Sequence, residues 1–306
     1  MIQSLPGRRI RREGRSLFGR FPVRHFLGQQ NSGLGRREFL GACALAVTGA
    51  VLVGPHKAWA QAAPASAGPA SPALIEDLVA ANRILADQGV VDGFGHVSVR
   101  HDKNPNRYLI SRSLAPALVT AEDLREFDLD SRPVNARPGE DLYSEVFIHG
   151  EIYKARPDIQ AVVHNHSPAV IPFSISGVPI QPVFHMSSFI GQGVPNFDIR
   201  KEMGENTDML VLNPERGRAL ARVLGEHPAA LMRGHGCVVV ADALPLAVFR
   251  SVYLQVNASV QMQAMALNSN VTYLTKEEAD LVQKLLWDRK RYLRAWDMWK
   301  QKAMGR

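Results

Sequence analysis

Cysteine is almost missing from this chain: there are two in 306 residues, Cys43 and Cys237, and Cys43 lies in a segment expected to be removed. The remaining thiol has no partner, which excludes a disulfide-stapled fold and leaves stability to a hydrophobic core. A long apolar run is missing as well. The best candidate, Leu40 to Val53, is interrupted by glycines and falls short of the ~20 residues that a membrane span requires. The third absence is a charge surplus on the body. The whole chain carries 36 Lys and Arg against 29 Asp and Glu, but residues 1–60 hold ten of the basic residues and only two of the acids, leaving 26 against 27. A near-neutral body with no basic patch excludes the electrostatic footprint of a nucleic-acid-binding protein. No internal repeat is present.

The basic segment reads as a targeting element. Gly35-Arg36-Arg37-Glu38-Phe39-Leu40 sets paired arginines before the apolar run, and Ala58-Trp59-Ala60 offers small residues where a signal peptidase needs them. This is the pattern of a twin-arginine signal. It leads to four expectations: export by the twin-arginine machinery, cleavage near residue 60, a periplasmic location and no membrane span afterwards. A retained anchor is the alternative. Leu40-Gly41-Ala42-Cys43 has the form of a lipoprotein box, but almost no apolar stretch precedes Cys43. Residues 61–72, rich in Ala, Pro, Ser and Gly, read as a flexible linker.

Residues 73–270 are long enough for one α/β or α+β domain with a sizeable core, and 271–306 read as a helical tail. Ser71 and Pro72 supply an N-cap and a first-turn proline for a helix whose Leu74, Ile75, Leu78, Val79, Ile84 and Leu85 recur at helical spacing up to Gly89. His96 to Arg100 and Tyr108 to Ser111 read as a hairpin across Asn104-Pro105-Asn106. Ser144 is expected to cap a helix running to Arg156, where Pro157 stops it. A strand through His164 follows, then a loop dense in Pro and Gly from Ile171 to Pro195. A helix from Pro214 to Leu224 leads to a strand pair around His235, and Leu246 to Leu267 is a long helix. The tail, Lys276 to Lys302, reads as one amphipathic helix carrying Trp287, Trp296 and Trp299.

The strongest chemical signal is Ala161-Val162-Val163-His164-Asn165-His166. Side chains alternate along a strand, so His164 and His166 share a face while Asn165 takes the other. A core would have to satisfy two buried imidazoles at some cost, whereas a metal ion satisfies both. His235, in a turn freed by Gly234 and Gly236, completes the three protein ligands of a catalytic site with an open position. Glu145, on the first turn of the helix before the His-x-His strand, is a fourth ligand, a general acid/base, or simply a carboxylate favouring a helix N-terminus. His149, four residues on, competes as a ligand or supports Glu145. His25 and His56 fall in the leader, and His101 and His227 in polar loop contexts, so all four read as bystanders. Three imidazoles and a carboxylate suit zinc first, with Mn, Fe or Co also compatible.

Taken together, Ser144-Glu145, His149, Ile152-Tyr153, Arg156-Pro157-Asp158, the His164–His166 strand and Gly234-His235-Gly236 resemble the class II aldolase and adducin family, from about Ile75 to Leu267. The resemblance implies a three-layer α/β/α sandwich around a central, mainly antiparallel sheet, and a homotetramer with sites between subunits. It implies a metal triad on His164, His166 and His235, and a catalytic carboxylate on Glu145 that also ligates when substrate is absent. The implied activity is that of a metal-dependent carbon–carbon lyase on a small molecule, either an aldolase or a decarboxylase, since both pass through a stabilised enolate. A non-haem Fe(II) oxygenase with the same ligands and an adducin-like scaffold are the alternatives.

Three stretches depart from the family's sugar-phosphate aldolases. Gly95-His96-Val97-Ser98 stands for Gly-Asn-Val-Ser, Ile110-Ser111-Arg112-Ser113-Leu114 for a Thr-Pro-Ser-Gly type phosphate loop, and Leu142-Tyr143 for Pro-Ser. Small residues that let backbone amides wrap a phosphate have become bulky or ionisable, which points to a non-phosphorylated substrate and to the family's decarboxylase branch. Substrate contacts are assigned on this ground to His96, Ser111, Arg112, Ser113 and Ser144. Arg112 reads equally as a bidentate carboxylate partner or a surface arginine, and His96 as a proton donor, a hydroxyl contact or a structural histidine. Phe184-His185-Met186-Ser187-Ser188-Phe189-Ile190-Gly191 reads as an aromatic pocket lining or as ordinary packing.

Overall fold

The computed structural model describes residues 63–287 and 290–305. The twin-arginine pattern, the lipoprotein box, His25, His56 and the first linker residues lie outside them. Ser71 caps α1 (Pro72–Asp87), its hydroxyl accepting the Leu74 N–H, and Pro72 presets the first turn. Leu78, Ile84 and Leu85 form the buried stripe, and Gly89 ends the helix region with φ +66°. The following segments build a seven-stranded sheet from β1 (His96–His101), β2 (Asn104–Ser111), β3 (Leu124–Asp128), β4 (Ala161–Asn165), β5 (Asn196–Phe197), β6 (Ala229–Met232) and β7 (Gly236–Ala241). The spatial order is β3-β2-β1-β4-β7-β6-β5, antiparallel throughout except for the β5–β6 pair.

Alternation along the strands sends residues to two cores. Val97, Val99, Leu109, Val163 and Val239 face α1, α6 (Leu244–Leu267) and α8 (Tyr292–Ala303). Tyr108, Ile110, Val162, Val238 and Val240 face α2 (Val146–Ala155) and α5 (Pro214–Leu224). Helices on both faces of a mainly antiparallel sheet make the expected three-layer α/β/α sandwich. The other α-helices among the described residues are the short α3 (Ile171–Ile175) and α4 (Arg200–Met203) and the longer α7 (Lys276–Trp287). No helix among the described residues is long and apolar enough to cross a membrane.

Several local expectations change. The hairpin turns at Asp102-Lys103, and Asn104-Pro105-Asn106 lie within β2. Arg100 pairs with Tyr108 but His101 with Asn104, so a bulge absorbs the proline that a regular ladder would reject. Ser144 is exposed and does not cap α2; Glu145 occupies the N-cap position, with its carboxylate engaged elsewhere. The end of the expected linker is anchored, because the Ser66 hydroxyl and the Ala67 N–H donate to Glu126 at 2.5 and 2.8 Å, and the Ser71 N–H donates to Asp102 at 3.0 Å. The tail forms two helices, α7 and α8, with Lys290 in the left-handed region (φ +48°) before α8, a conformation that interrupts a right-handed helix. Trp296 and Trp299 on α8 are buried in the core shared with α1 and α6, so the tail belongs to the same compact unit.

Candidate metal centre and active site

Register builds the site. β1 and β4 run antiparallel with His96 opposite His164, and since Val97 and Val163 face the α1 side, His96, Ser98, Val162 and His164 face α2. Beyond the end of β4, His166 returns to that same side. The β6–β7 turn supplies the third imidazole: Gly234 takes φ +63°, and at Gly236 a Cβ would lie 2.0 Å from the Asn165 carbonyl oxygen. Only glycine lets β7 approach the end of β4 this closely, and that approach sets His235 beside His166. From the opposite layer, the N-terminus of α2 delivers Glu145.

The four ligand atoms lie within 4.8 Å of one another. Nε2 of His166 is 3.1 Å from Nε2 of His164 and 3.0 Å from Nε2 of His235, while Oε2 of Glu145 is 3.8 Å from His164 and 3.6 Å from His235. Nδ1 of His164 faces the Cys237 carbonyl at 3.1 Å, and Nδ1 of His235 faces the Met209 carbonyl at 3.1 Å. A carbonyl only accepts, so both Nδ1 atoms carry the proton and both Nε2 lone pairs are bare. These two lone pairs and Nε2 of His166 converge on one point, where a cation would be shared by all three. The spacing is close to the ~3.3 Å edge of a tetrahedron with metal–nitrogen bonds of ~2.0–2.1 Å. The donor set therefore fits a divalent metal.

Electrostatics agree with that assignment. Burial, reinforced by the neighbouring histidines, holds His164 well below the usual imidazole range, and burial followed by His235 lowers His166. Both are thus neutral, the form that ligates. Burial raises the Glu145 carboxyl, against the opposing pull of His235 and the Val211 N–H, which donates to Oε1 at 2.8 Å. A carboxyl whose hold on its proton is strengthened by burial is suited to general acid and base work.

The metal cluster opens into a cavity of about 510 Å³. His96, Ser113 and Ser144 line it together with Glu145 and His166, and Phe94, 70 % exposed, stands at its rim. No lysine or arginine is among its lining residues. Ser111 and Arg112 do not reach it. Ser111 is buried against the Tyr143 hydroxyl at 3.4 Å, and the Arg112 guanidinium is held by Asp123 at 2.8 Å. His149 is neither a ligand nor a support for Glu145. Fully buried, it lies 2.6 Å from His96 and 2.6 Å from Ser98, because one turn further along α2 its neighbours are the side chains of β1. His101 and His227 meet the Gly68 and Gly193 carbonyls at 3.0 and 3.1 Å, away from the cluster, as expected of bystanders. The 184–191 segment does not line this cavity: Phe189 is buried in the α1-side core, and His185 and Met186 line a separate cavity beside Phe249 and Tyr292.

Two contributors escaped the sequence reading. Tyr143 fills the loop where small residues would wrap a phosphate: its hydroxyl donates to the Leu114 carbonyl at 2.6 Å and accepts the Leu114 N–H at 3.5 Å. The substitution before Glu145 was visible, but its target loop was not. The backbone groups of Met209 and Val211 orient His235 and Glu145, and backbone groups leave no mark in a sequence.

The profile of the Class II Aldolase and Adducin N-terminal domain matches residues 76–262. The decarboxylase tropJ of Talaromyces stipitatus is 34% identical over 248 residues, covering 74% of this chain and 92% of that protein. The 3,4-dihydroxyphthalate decarboxylase of Arthrobacter keyseri is 31% identical over 202 residues, covering 61% of this chain and 77% of that protein. Among solved structures, the L-fuculose 1-phosphate aldolase of Glaciozyma antarctica superposes with a TM-score of 0.63 at 25% identity, over 76% of this chain and 88% of that one.

Proposed function

Because the chain belongs to the class II aldolase and adducin family, we propose that it is a metal-dependent carbon–carbon lyase that decarboxylates a non-phosphorylated hydroxyaromatic carboxylate. One observation carries this reading: the Glu145–His164–His166–His235 cluster opens into a cavity walled by His96 and Tyr143, without a cationic side chain and with its phosphate-type loop filled by a phenol. The names of the similar decarboxylases point to the same substrate class.

His164, His166 and His235 would hold a divalent ion, zinc being the first choice, which would supply a Lewis acid to the substrate. The Val211 N–H fixes Oε1 of Glu145, so the carboxyl group presents its other oxygen to the cavity. As the carboxylate carbon departs as carbon dioxide, the bonding electron pair stays on the ring carbon and takes the proton that Glu145 carries. Solvent then reprotonates Glu145. His96 contacts the substrate hydroxyl, and Ser113 and Ser144 face the remainder of the molecule. Phe94 and Tyr143 offer aromatic faces on which a ring can stack.

The twin-arginine pattern supports export, cleavage near residue 60 and action in the periplasm, and the family supports a homotetramer; the catalytic unit is proposed to span 73–270 with the tail helices packed into its core. The deciding assay supplies the metal-loaded, processed protein with hydroxyaromatic acids and, separately, with hydroxyaldehydes. Carbon dioxide release from the acids supports decarboxylation, and aldehyde cleavage alone would replace it with aldol chemistry.

A further inference from the structure

Behind His96 lies a buried polar chain that the reaction above does not use. Nδ1 of His96 is 2.6 Å from Nε2 of His149, Nδ1 of His149 is 2.6 Å from Oγ of Ser98, and that hydroxyl is 2.8 Å from the Tyr153 hydroxyl. All four side chains are buried, and burial pushes the His149 imidazole down to about 3, leaving it neutral with one N–H. With one N–H on each imidazole, the hydrogen bonds of the chain can run in two directions. In the first, Tyr153 donates to Ser98, Ser98 donates to Nδ1 of His149, and Nε2–H of His149 donates to Nδ1 of His96. The proton of His96 then sits on Nε2. In the second, every donation reverses and the Tyr153 proton is left with the Gln160 carbonyl, 3.5 Å away.

The first direction wins on hydrogen-bond geometry. It gives every internal donor a short bond and leaves one free N–H, on a residue that lines the cavity. The second rests on a terminal bond at the outer limit of hydrogen-bond length, nearly leaving a buried phenol unsatisfied. The chain also dead-ends at Tyr153. Burial raises that phenol far above its ordinary range, so no proton enters from this end.

We propose that Tyr153, Ser98 and His149 are positioning residues that hold His96 as its Nε2–H tautomer, making it a neutral hydrogen-bond donor to a substrate oxygen rather than a proton shuttle. A neutral imidazole of fixed tautomer stabilises negative charge developing on oxygen and keeps its proton. This role rests on the lyase reading above and names the group that meets the substrate hydroxyl.

Neutron diffraction from the metal-loaded protein exchanged into heavy water tests the tautomer directly. Deuterium is expected on Nε2 of both His149 and His96, with both Nδ1 atoms bare; deuterium on Nδ1 of His96 overturns the assignment. In solution, Ser98→Ala is expected to lower kcat about tenfold and leave KM within about twofold at unchanged metal content, with a lower melting temperature from the two buried groups it leaves unpaired, and Ser98→Thr to restore most of both losses. Unchanged kcat in Ser98→Ala overturns the positioning role. Absence of turnover by the unaltered protein would count against the lyase reading alone, since the neutron result decides the tautomer without any assay.

Discussion

The backbone N–H of Val211 donates to Oε1 of Glu145 at 2.8 Å, binding the start of α2 to the loop before α5. That bond consumes one carboxylate oxygen and leaves Oε2 facing His164 and His235 at 3.8 and 3.6 Å. Glu145 is thus held beside the metal position without depending on it.

From this follows the effect of Glu145→Gln. The amide keeps the shape and the three imidazoles but carries no transferable proton. Turnover is expected to fall by about 10²–10⁴ while metal content stays near that of the unaltered protein. Kinetics paired with elemental analysis check this, and near-normal turnover would remove Glu145 from the proton-transfer role.

Metal removal is the second test. Chelation is expected to abolish activity and lower the melting temperature, with both restored by adding back zinc or manganese. Metal at a hundredfold excess over its dissociation constant contributes ~2.7 kcal/mol. His166→Ala is expected to abolish the metal response in calorimetry.

The pH dependence of the metal-free protein follows from His149. Its folded value, about 3, lies below the ordinary 6.5, so the unfolded chain binds the proton first as pH falls. Stability is complete above about pH 6.5 and is lost progressively toward pH 3, at up to about 1.4 kcal/mol per pH unit from this one group. Denaturation midpoints that stay flat between pH 6.5 and 4 would contradict a buried neutral His149.

Arg112→Ala probes a residue that the sequence placed at the substrate and the fold placed beside Asp123. KM is expected to change by less than about twofold, and stability by no more than ~1 kcal/mol, the usual worth of a partly exposed ion pair. A large rise in KM would return Arg112 to the substrate site.

Gly236→Ala has the opposite character. The new methyl meets the Asn165 carbonyl at 2.0 Å, so β7 must move away from β4 and carry His235 with it. A loss of about 3 kcal/mol is expected in denaturant titration, with weaker metal binding.

Periodicity and punctuation alone determined much of this protein. The alternation in Val162-Val163-His164-Asn165-His166 predicted the shared face of two ligands, and Ser71-Pro72 predicted the start of α1, because both depend on neighbours in the chain. Composition separated a basic first segment from a near-neutral body for the same reason. Tertiary structure decided what depends on distant segments. His149 sits one helical turn from Glu145, yet it meets His96 and Ser98 because α2 crosses β1 at that point. Arg112 belongs to Asp123, and the Tyr143 phenol fills a loop some thirty residues earlier. Local sequence sets which way a side chain leaves its backbone, but a partner is set by register, crossing and burial, and these exist only once the sheet and its two helical layers have closed.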